Sequence, residues 1–272
     1  MNQLKNLLLL SCLLVVAACS NNNGVEVDAP APITALTVRS SGVSFTTGGT
    51  LSVRLSQNYN KELVFNIAAD GTATLDDASP VLTLNNTDAA SLNGWVYGKI
   101  DGEYFSYNGN ITAAKADADN WTISCTLAHM EAKLKLTVQT ADGSDLPADV
   151  TCSIVAPGLK RLIEYEWIDN ALGIYTGSDP DITGINVAHN AEELIYPATL
   201  AADEEFFTII LTQEGGKYNN KEYKILVPTG GFMFEAGNLY NLTAKLNDIA
   251  QASAITLSSI NEKTIQYEEI FK

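Results

Sequence analysis

The chain has few of the residues on which enzyme and metal sites depend. It contains two histidines and four cysteines in 272 residues. His129 and His189 lie far apart, and neither belongs to an HExxH motif or a Cys/His metal spacing, so a structural role is predicted for His129. Adjacent acids such as Glu192–Glu193 are bounded by polar sequence, which favours solvated carboxylates over the catalytic pair of a glycosidase. The chain is therefore predicted not to be an enzyme, and no cofactor or metal is expected.

Basic residues are also scarce, with 16 Lys and Arg against 32 Asp and Glu and a formal net charge of −16 at pH 7. Such an acidic surface disfavours binding to a phosphate backbone, and no cluster of Lys and Arg overrides it. Nucleic acid is therefore excluded as an expected partner. Long apolar runs are lacking too, since the run from Leu7 to Ala18 is shorter than the roughly 20 residues that a membrane-spanning helix requires.

The N-terminus has the features of an export signal. A short positive start with Lys5 is followed by an apolar stretch and by small residues that end at Cys19. The sequence VAAC that ends at Cys19 resembles the lipobox of bacterial lipoproteins, which implies a cut before Cys19 and a lipid on its thiol that holds the chain to a membrane. Residues 1–18 are therefore predicted to be a signal peptide and residues 19–33 a lipid-anchored, flexible lead-in. The alternative is an ordinary secreted protein, in which a thiol directly after Ala-Ala would have no purpose.

Two other cysteines, Cys125 and Cys152, remain to form a disulfide bond. Export permits such a bond. However, a hairpin that turns near residue 145 would place Cys152 opposite residue 138, far along the strand from Cys125. Two free thiols are therefore favoured over a bridge.

Strand patterns dominate the sequence after residue 30. In LSVRLSQ (51–57) and KLKLTVQ (133–139), apolar residues alternate with polar ones, and turns rich in Gly, Asn and Asp separate many such segments. This predicts an all-β fold of antiparallel sandwiches. Pro157-Gly158 interrupts the strand patterns, so the predicted domains are an N-terminal β-sandwich over 34–157 and a C-terminal β-sandwich over 158–272.

Two segments resemble fimbrillin-like proteins, the subunits of bacterial type V pili. TLAHMEAKLKLTVQTADG (126–143) resembles the family's His-x-x-Ala-Lys segment and the alternating strand after it. GFMFEAGNLYNLTAKL (231–246) resembles its second hallmark, in which an aromatic residue precedes a glycine and then a tyrosine. The resemblance implies two transthyretin-like Greek-key β-sandwiches, export as an outer-membrane lipoprotein to the cell surface or a fimbrium, and a role in adhesion. It leaves open whether the chain is a shaft, anchor or tip protein.

In that family a trypsin-like protease cuts polymerising subunits after an early Arg or Lys, and this cut frees the first strand. A strand from a neighbouring subunit then fills the groove, so other pilus subunits are the implied partners. Arg39 is the first Lys or Arg after Cys19, and the small residues Ser40-Ser41-Gly42 that follow predict an accessible loop. The resemblance therefore implies processing at Arg39. The alternative is an uncut anchor in which Arg39 is an exposed strand-end charge.

The C-terminal segment is apolar at alternate positions, with Ile265, Tyr267 and Phe271 on one face. It is interpreted either as the strand donated to the next subunit or as the last strand of its own domain. A second function also stays open, that of a monomeric surface lipoprotein that binds a glycan or a host protein. Glycan-binding surfaces usually display several exposed aromatic residues, and the three tryptophans of this chain give that function little support.

Overall fold

The structure is a computed structural model of the chain. It describes residues 29–41, 47–58, 60–117, 119–168, 171–181, 183–246, 257–264 and 267–269. Among these residues, no helix has the length and apolar character needed to cross a membrane. Strands make up most of the described chain, so the all-β prediction is confirmed.

The first part of the described chain forms short strands and one α-helix of five residues, α1 (Asn86–Ala90). A turn of 3-10 helix follows the second strand at Ser56–Asn58. The strands are β1 (Ala31–Ser41), β2 (Gly49–Leu55), β3 (Leu63–Ile67), β4 (Ala73–Leu75), β5 (Thr83–Leu84), β6 (Asn93–Ile100), β7 (Glu103–Asn110), β8 (Thr112–Lys115), β9 (Trp121–Thr126) and β10 (Ala128–His129).

The second part consists of strands and turns in its described residues. The strands are β11 (Ala132–Gln139), β12 (Thr151–Ala156), β13 (Arg161–Ile168), β14 (Ala171–Gly177), β15 (Ile185–Val187), β16 (Glu192–Ile195), β17 (Ala198–Leu200), β18 (Glu205–Thr212), β19 (Lys221–Leu226), β20 (Phe232–Phe234), β21 (Asn238–Lys245), β22 (Leu257–Thr264) and β23 (Tyr267–Glu269).

The first hydrophobic core draws its side chains from two sheets. One sheet has the order β23-β1-β9-β8, with β5 also paired to β1, and the other has the order β10-β7-β6-β2-β3-β4. The alternation seen in the sequence places Leu51, Val53 and Leu55 of β2 in this core, all fully buried. Strand β1 runs parallel to β9, whereas its other pairings are antiparallel.

The second core also draws on two sheets, with the orders β16-β11-β21-β22 and β15-β12-β18-β19. Ala132, Leu134, Leu136 and Val138 of β11 point into it and are fully buried. Strand β11 is parallel to β21, with Leu134 opposite Tyr240. Two antiparallel ribbons, β13–β14 and β17–β20, complete this part of the chain. The Greek-key connection of a transthyretin-like fold stays a prediction.

The two cores separate between Leu127 and Ala132, upstream of the predicted boundary between 34–157 and 158–272. The turn at Pro157-Gly158, on which that prediction rested, lies inside the second part. There Leu159 N–H donates to the Ala156 carbonyl at 3.2 Å, and Leu159 is fully buried in the second core. The turn therefore redirects the chain within one core instead of leading out of it.

Candidate functional site

Strand β1 contributes a row of apolar side chains to the first core. Ala31, Ile33, Leu36 and Val38 are at most 6% exposed. The simple alternation is interrupted because the register with β9 shifts between Ile33 and Ala35. Burial of each larger side chain in such a row stabilises the fold by about 1.5–3 kcal/mol. Removal of β1 would therefore leave an apolar groove in the first sheet.

Both edges of β1 take part in pairing. Strand β9 lies along one edge from Ile33 to Arg39. On the other edge, β5 pairs with Ala31 and Pro32 at the start of β1, and β23 pairs with its last residues. A strand with partners on both sides is an interior strand of its sheet, although Pro32 lies at the end where a missing N–H is tolerated.

Arg39, the predicted processing residue, lies within β1 and not in a loop. It is opposite Thr126 of β9 and opposite Glu269 of β23. Ser40 and Ser41, which the sequence placed in an accessible loop, are the last residues of the same strand and pair with Glu268 and Tyr267. Small polar residues favour a loop only when no neighbouring strand offers hydrogen bonds, and here β23 offers them.

The remaining predicted site residues are divided between described and undescribed parts of the chain. Cys19, Ile265 and Phe271 lie outside the described residues. Tyr267 begins β23, which pairs with β1 in the first sheet, while β22 pairs with β21 in the second core. The sequence indicated that the C-terminal segment is either the last strand of its own domain or a strand for a neighbour. The contact with β1 was not expected, because the partner of a short strand depends on contacts between residues that are distant along the chain.

An ionic cluster forms where the two cores meet. The Glu103 carboxylate is 2.5 Å from Lys133 Nζ and 3.1 Å from His129 Nδ1, and the second contact has ion-pair distance without the alignment of a hydrogen bond. Burial opposes ionisation of Glu103, but His129 and Lys133 outweigh it, so the pKa of Glu103 lies below its ordinary value. Glu103 of β7 therefore joins His129 of β10 and Lys133 of β11, and this contact agrees with the structural role predicted for His129.

Glu131 lies in the same junction and is 5% exposed. Its carboxylate accepts a hydrogen bond from Tyr104 N–H at 3.2 Å, and its carbonyl accepts one from Gly237 N–H at 2.9 Å. Burial raises the pKa of Glu131 to about 6, and Tyr104 N–H, Lys99 and His129 oppose that rise only in part. Glu131 is thus held by one backbone N–H from each part of the chain, that of Tyr104 in β7 and that of Gly237 before β21.

The two sequence motifs meet at this junction. Gly237 has φ +79°, a conformation that favours glycine, and its N–H reaches the Glu131 carbonyl. Three residues later, Tyr240 is 2% exposed, and its hydroxyl accepts a hydrogen bond from Glu235 N–H at 2.8 Å. The parallel pairing of β11 with β21 continues the contact beyond the motifs. Both motifs therefore have a packing role at the start of neighbouring strands.

An aromatic cluster makes a second contact between the two parts of the chain. The ribbon β13–β14 places Tyr165 5.1 Å from Tyr97 and 5.2 Å from Tyr104, measured between ring centroids. Trp167 of the same ribbon makes an edge contact with Trp95 at 5.0 Å. Edge-to-face contacts of this kind add to the free energy of burial. The ribbon therefore packs on β6 and β7 of the first part.

The described residues offer little chemistry of their own. No group of three or more His, Cys, Asp or Glu in the described chain could hold a metal ion. Cys125 and Cys152 are free thiols, and burial raises their pKa to about 12 and about 11, so neither is a ready nucleophile. His189 accepts a hydrogen bond from Val138 N–H at 3.3 Å, and burial lowers its pKa. These groups all have packing or backbone partners.

No protein-family model matches the chain, and a search of curated proteins finds no significant relative. Several solved structures do resemble it. A candidate cell adhesion protein from Bacteroides uniformis is 14% identical with a TM-score of 0.49, over 90% of this chain and 99% of that one. The C-terminally truncated tip fimbrial protein of Porphyromonas gingivalis is 11% identical with a TM-score of 0.44, over 86% of this chain and 99% of that one.

A fimbrilin from Porphyromonas gingivalis also resembles the chain, at 11% identity and a TM-score of 0.41, over 86% of this chain and 99% of that one. The structural neighbours are thus cell adhesion candidates and fimbrial proteins, the class that the two sequence motifs resemble.

Proposed function

We propose that the chain is a structural subunit or anchor of a bacterial surface fimbria, exported as a lipoprotein through Cys19 and assembled by strand addition. Its partners would be other pilus subunits, the outer membrane through the lipid, and surface ligands of host or bacterial cells. Its role would be adhesion. The motifs around His129 and Tyr240, which resemble those of fimbrillin-like proteins, support the proposal.

The observation that carries the proposal is the composition and position of β1. The first strand of the described chain buries Ile33, Leu36 and Val38 in the first core and then reaches Arg39. A cut after Arg39 would break the covalent link between these side chains and the rest of the chain, so that β1 could leave the sheet. The resulting groove would offer both apolar pockets and unpaired backbone groups of β9, which are the two requirements for strand addition.

The alternative, a monomeric glycan-binding lipoprotein, gains less support from the aromatic residues. Trp95 and Trp167 pack against each other, and Trp121 is 5% exposed with its indole N–H donated to the Leu84 carbonyl at 2.9 Å. An open groove of about 580 Å³ does lie beside β9, but its aromatic residue, Tyr107, donates its hydroxyl to the Asn110 carbonyl. These rings are engaged within the protein instead of forming a stacking platform.

The experiment that tests the proposal is analysis of the protein extracted from the cell surface. A shaft subunit would give an SDS-resistant ladder and an N-terminus at Ser40. An anchor would keep Cys19 at its N-terminus and would still enter the ladder. A clean monomer that begins at Cys19 would refute assembly and favour the alternative.

Two variants sharpen the experiment. Arg39→Gln removes the basic side chain that a trypsin-like protease recognises, so a shaft subunit with this change should accumulate uncut and leave the ladder. Lys61→Gln removes an exposed positive charge in a turn of the same part of the chain and is the matched control. Loss of the ladder in both variants would show that charge, and not processing, controls assembly.

A further inference from the structure

The Arg39–Ser40 peptide bond lies where the pairing of β1 with β9 ends and its pairing with β23 begins. Strand β9 pairs with β1 up to Arg39, opposite Thr126, and the pairing ends there. Strand β23 pairs with β1 at Arg39, Ser40 and Ser41. The residues before the bond are therefore held by β9, whereas the two residues after it have β23 as their strand partner among the described residues.

A peptide that is recognised as an extended strand must offer a free edge to its binding partner. Arg39 offers none, because β9 occupies one edge and β23 the other. Cleavage adds one water across the Arg39–Ser40 peptide bond and leaves a carboxylate on Arg39 and an amino group on Ser40. When local opening is faster than cutting, the rate of such a cleavage follows the population of the open form.

We infer that β23, the C-terminal strand, covers the processing bond and must detach before a trypsin-like protease can cut after Arg39. This inference deepens the proposed function and rests on it, since the processing of Arg39 belongs to that proposal. The end of the chain thus controls the accessibility of a bond near its beginning. Whatever draws β23 away from β1 also exposes the Arg39–Ser40 bond.

The test is a reversible lock between β1 and β23 in the full chain. Ser41 and Tyr267 are register partners, so Ser41→Cys with Tyr267→Cys should form a disulfide across the two strands while Arg39 and Ser40 stay unchanged. The Ser41→Cys single variant controls for oxidation of the other thiols. Digestion with an arginine-specific protease is followed by intact mass, and the cut after Arg161, at the start of β13 in the second part of the chain, is the internal reference.

The oxidised double variant should be cut after Arg39 at least ~10-fold more slowly than its reduced form, because a covalent link prevents the opening that precedes cleavage. A second variant that ends at Gln266 and lacks β23 should be cut at least ~10-fold faster than the full chain, as expected from the loss of a few backbone hydrogen bonds. The rate of the cut after Arg161 should stay the same throughout.

Equal rates in the oxidised and reduced double variant would overturn the inference, and so would an unchanged rate after removal of β23. Absence of any cut after Arg39 in the reduced and truncated forms would overturn it as well, because β23 would then not be what limits access. The outcome is separable from that of the proposed function. Surface material that begins at Cys19 would refute processing in the cell, while the protease rates would still report whether β23 covers the bond.

Discussion

Replacement of Glu131 by glutamine should make the protein more stable at neutral and alkaline pH. Burial raises the pKa of this carboxyl to about 6, against an ordinary value of 4.5. The folded chain therefore holds the proton more tightly than the unfolded chain, and the stabilisation present below pH 4.5 is lost as the pH rises through 6. Linkage converts this difference into about 2 kcal/mol, and about half of it, roughly 1 kcal/mol, is expected because relaxation around a buried charge reduces the cost of ionisation.

Glutamine cannot ionise, and its side-chain oxygen can still accept the hydrogen bond from Tyr104 N–H. The free energy of unfolding of Glu131→Gln should therefore exceed that of the wild type by about 0.4 kcal/mol at pH 5 and by about 1 kcal/mol at pH 8. Urea titrations at several pH values measure this difference, and fluorescence of the Trp95–Trp167 pair reports the junction. The series should stop at pH 5, since the isoelectric point is near 4.4.

The difference in the free energy of unfolding between variant and wild type reports the titration of Glu131 alone, because the other groups titrate in both proteins. Glu103 acts in the opposite direction, because its pKa is lowered and its stabilisation is lost as the pH falls. Glu222→Gln is the control, since it removes the same charge from an exposed position on β19. A constant offset between Glu131→Gln and wild type across this pH range, or an equal gain in Glu222→Gln, would refute the reasoning.

Four further outcomes are expected. Tyr240→Phe removes the acceptor of Glu235 N–H and should lower the free energy of unfolding by about 1 kcal/mol in a urea titration, and an unchanged midpoint would contradict the contact. Gly237→Ala meets no side chain closer than 3.7 Å but must adopt φ +79°, so it should cost about 1–2 kcal/mol in the same assay. Cys19→Ser should abolish incorporation of a labelled fatty acid and release the protein from the membrane fraction, and continued labelling would refute the lipid site. Deletion of Ile265–Lys272 keeps β22 and should leave a folded protein that forms no ladder, whereas ready unfolding or an unchanged ladder would contradict a donor role.

Side-chain direction could be read from the sequence, because it depends on a local property. Period-two alternation in 51–57 and 133–139 predicted buried faces for β2 and β11, and both faces are fully buried. The partners of those strands could not be read in the same way. The parallel pairs β1–β9 and β11–β21 join segments that are distant along the chain, and their register depends on packing of complete sheets.

The domain boundary and the scissile loop show how a local signal can mislead. Pro157-Gly158 does make a turn, but the next buried residue, Leu159, returns to the same core, and only the three-dimensional contact reveals this. Ser40 and Ser41 have loop-like composition, yet the backbone of β23 satisfies them as a strand.

The direction of the strands bears on the proposed exchange. Strand β1 is parallel to β9, and β23 is antiparallel to β1. If a donated strand replaced β1 and ran in the same direction as β23, it would lie antiparallel to β9. Antiparallel pairing has the more favourable hydrogen-bond geometry per residue.

A donated strand would also have to replace the buried side chains of β1. The alternate residues of the C-terminal segment supply Ile265, Tyr267 and Phe271, but the same series places Glu269 between the last two, and a carboxylate in an apolar groove is costly without a partner. The exchange is therefore favoured by strand direction and by the apolar residues, and the site that receives Glu269 must provide either solvent or a positive charge.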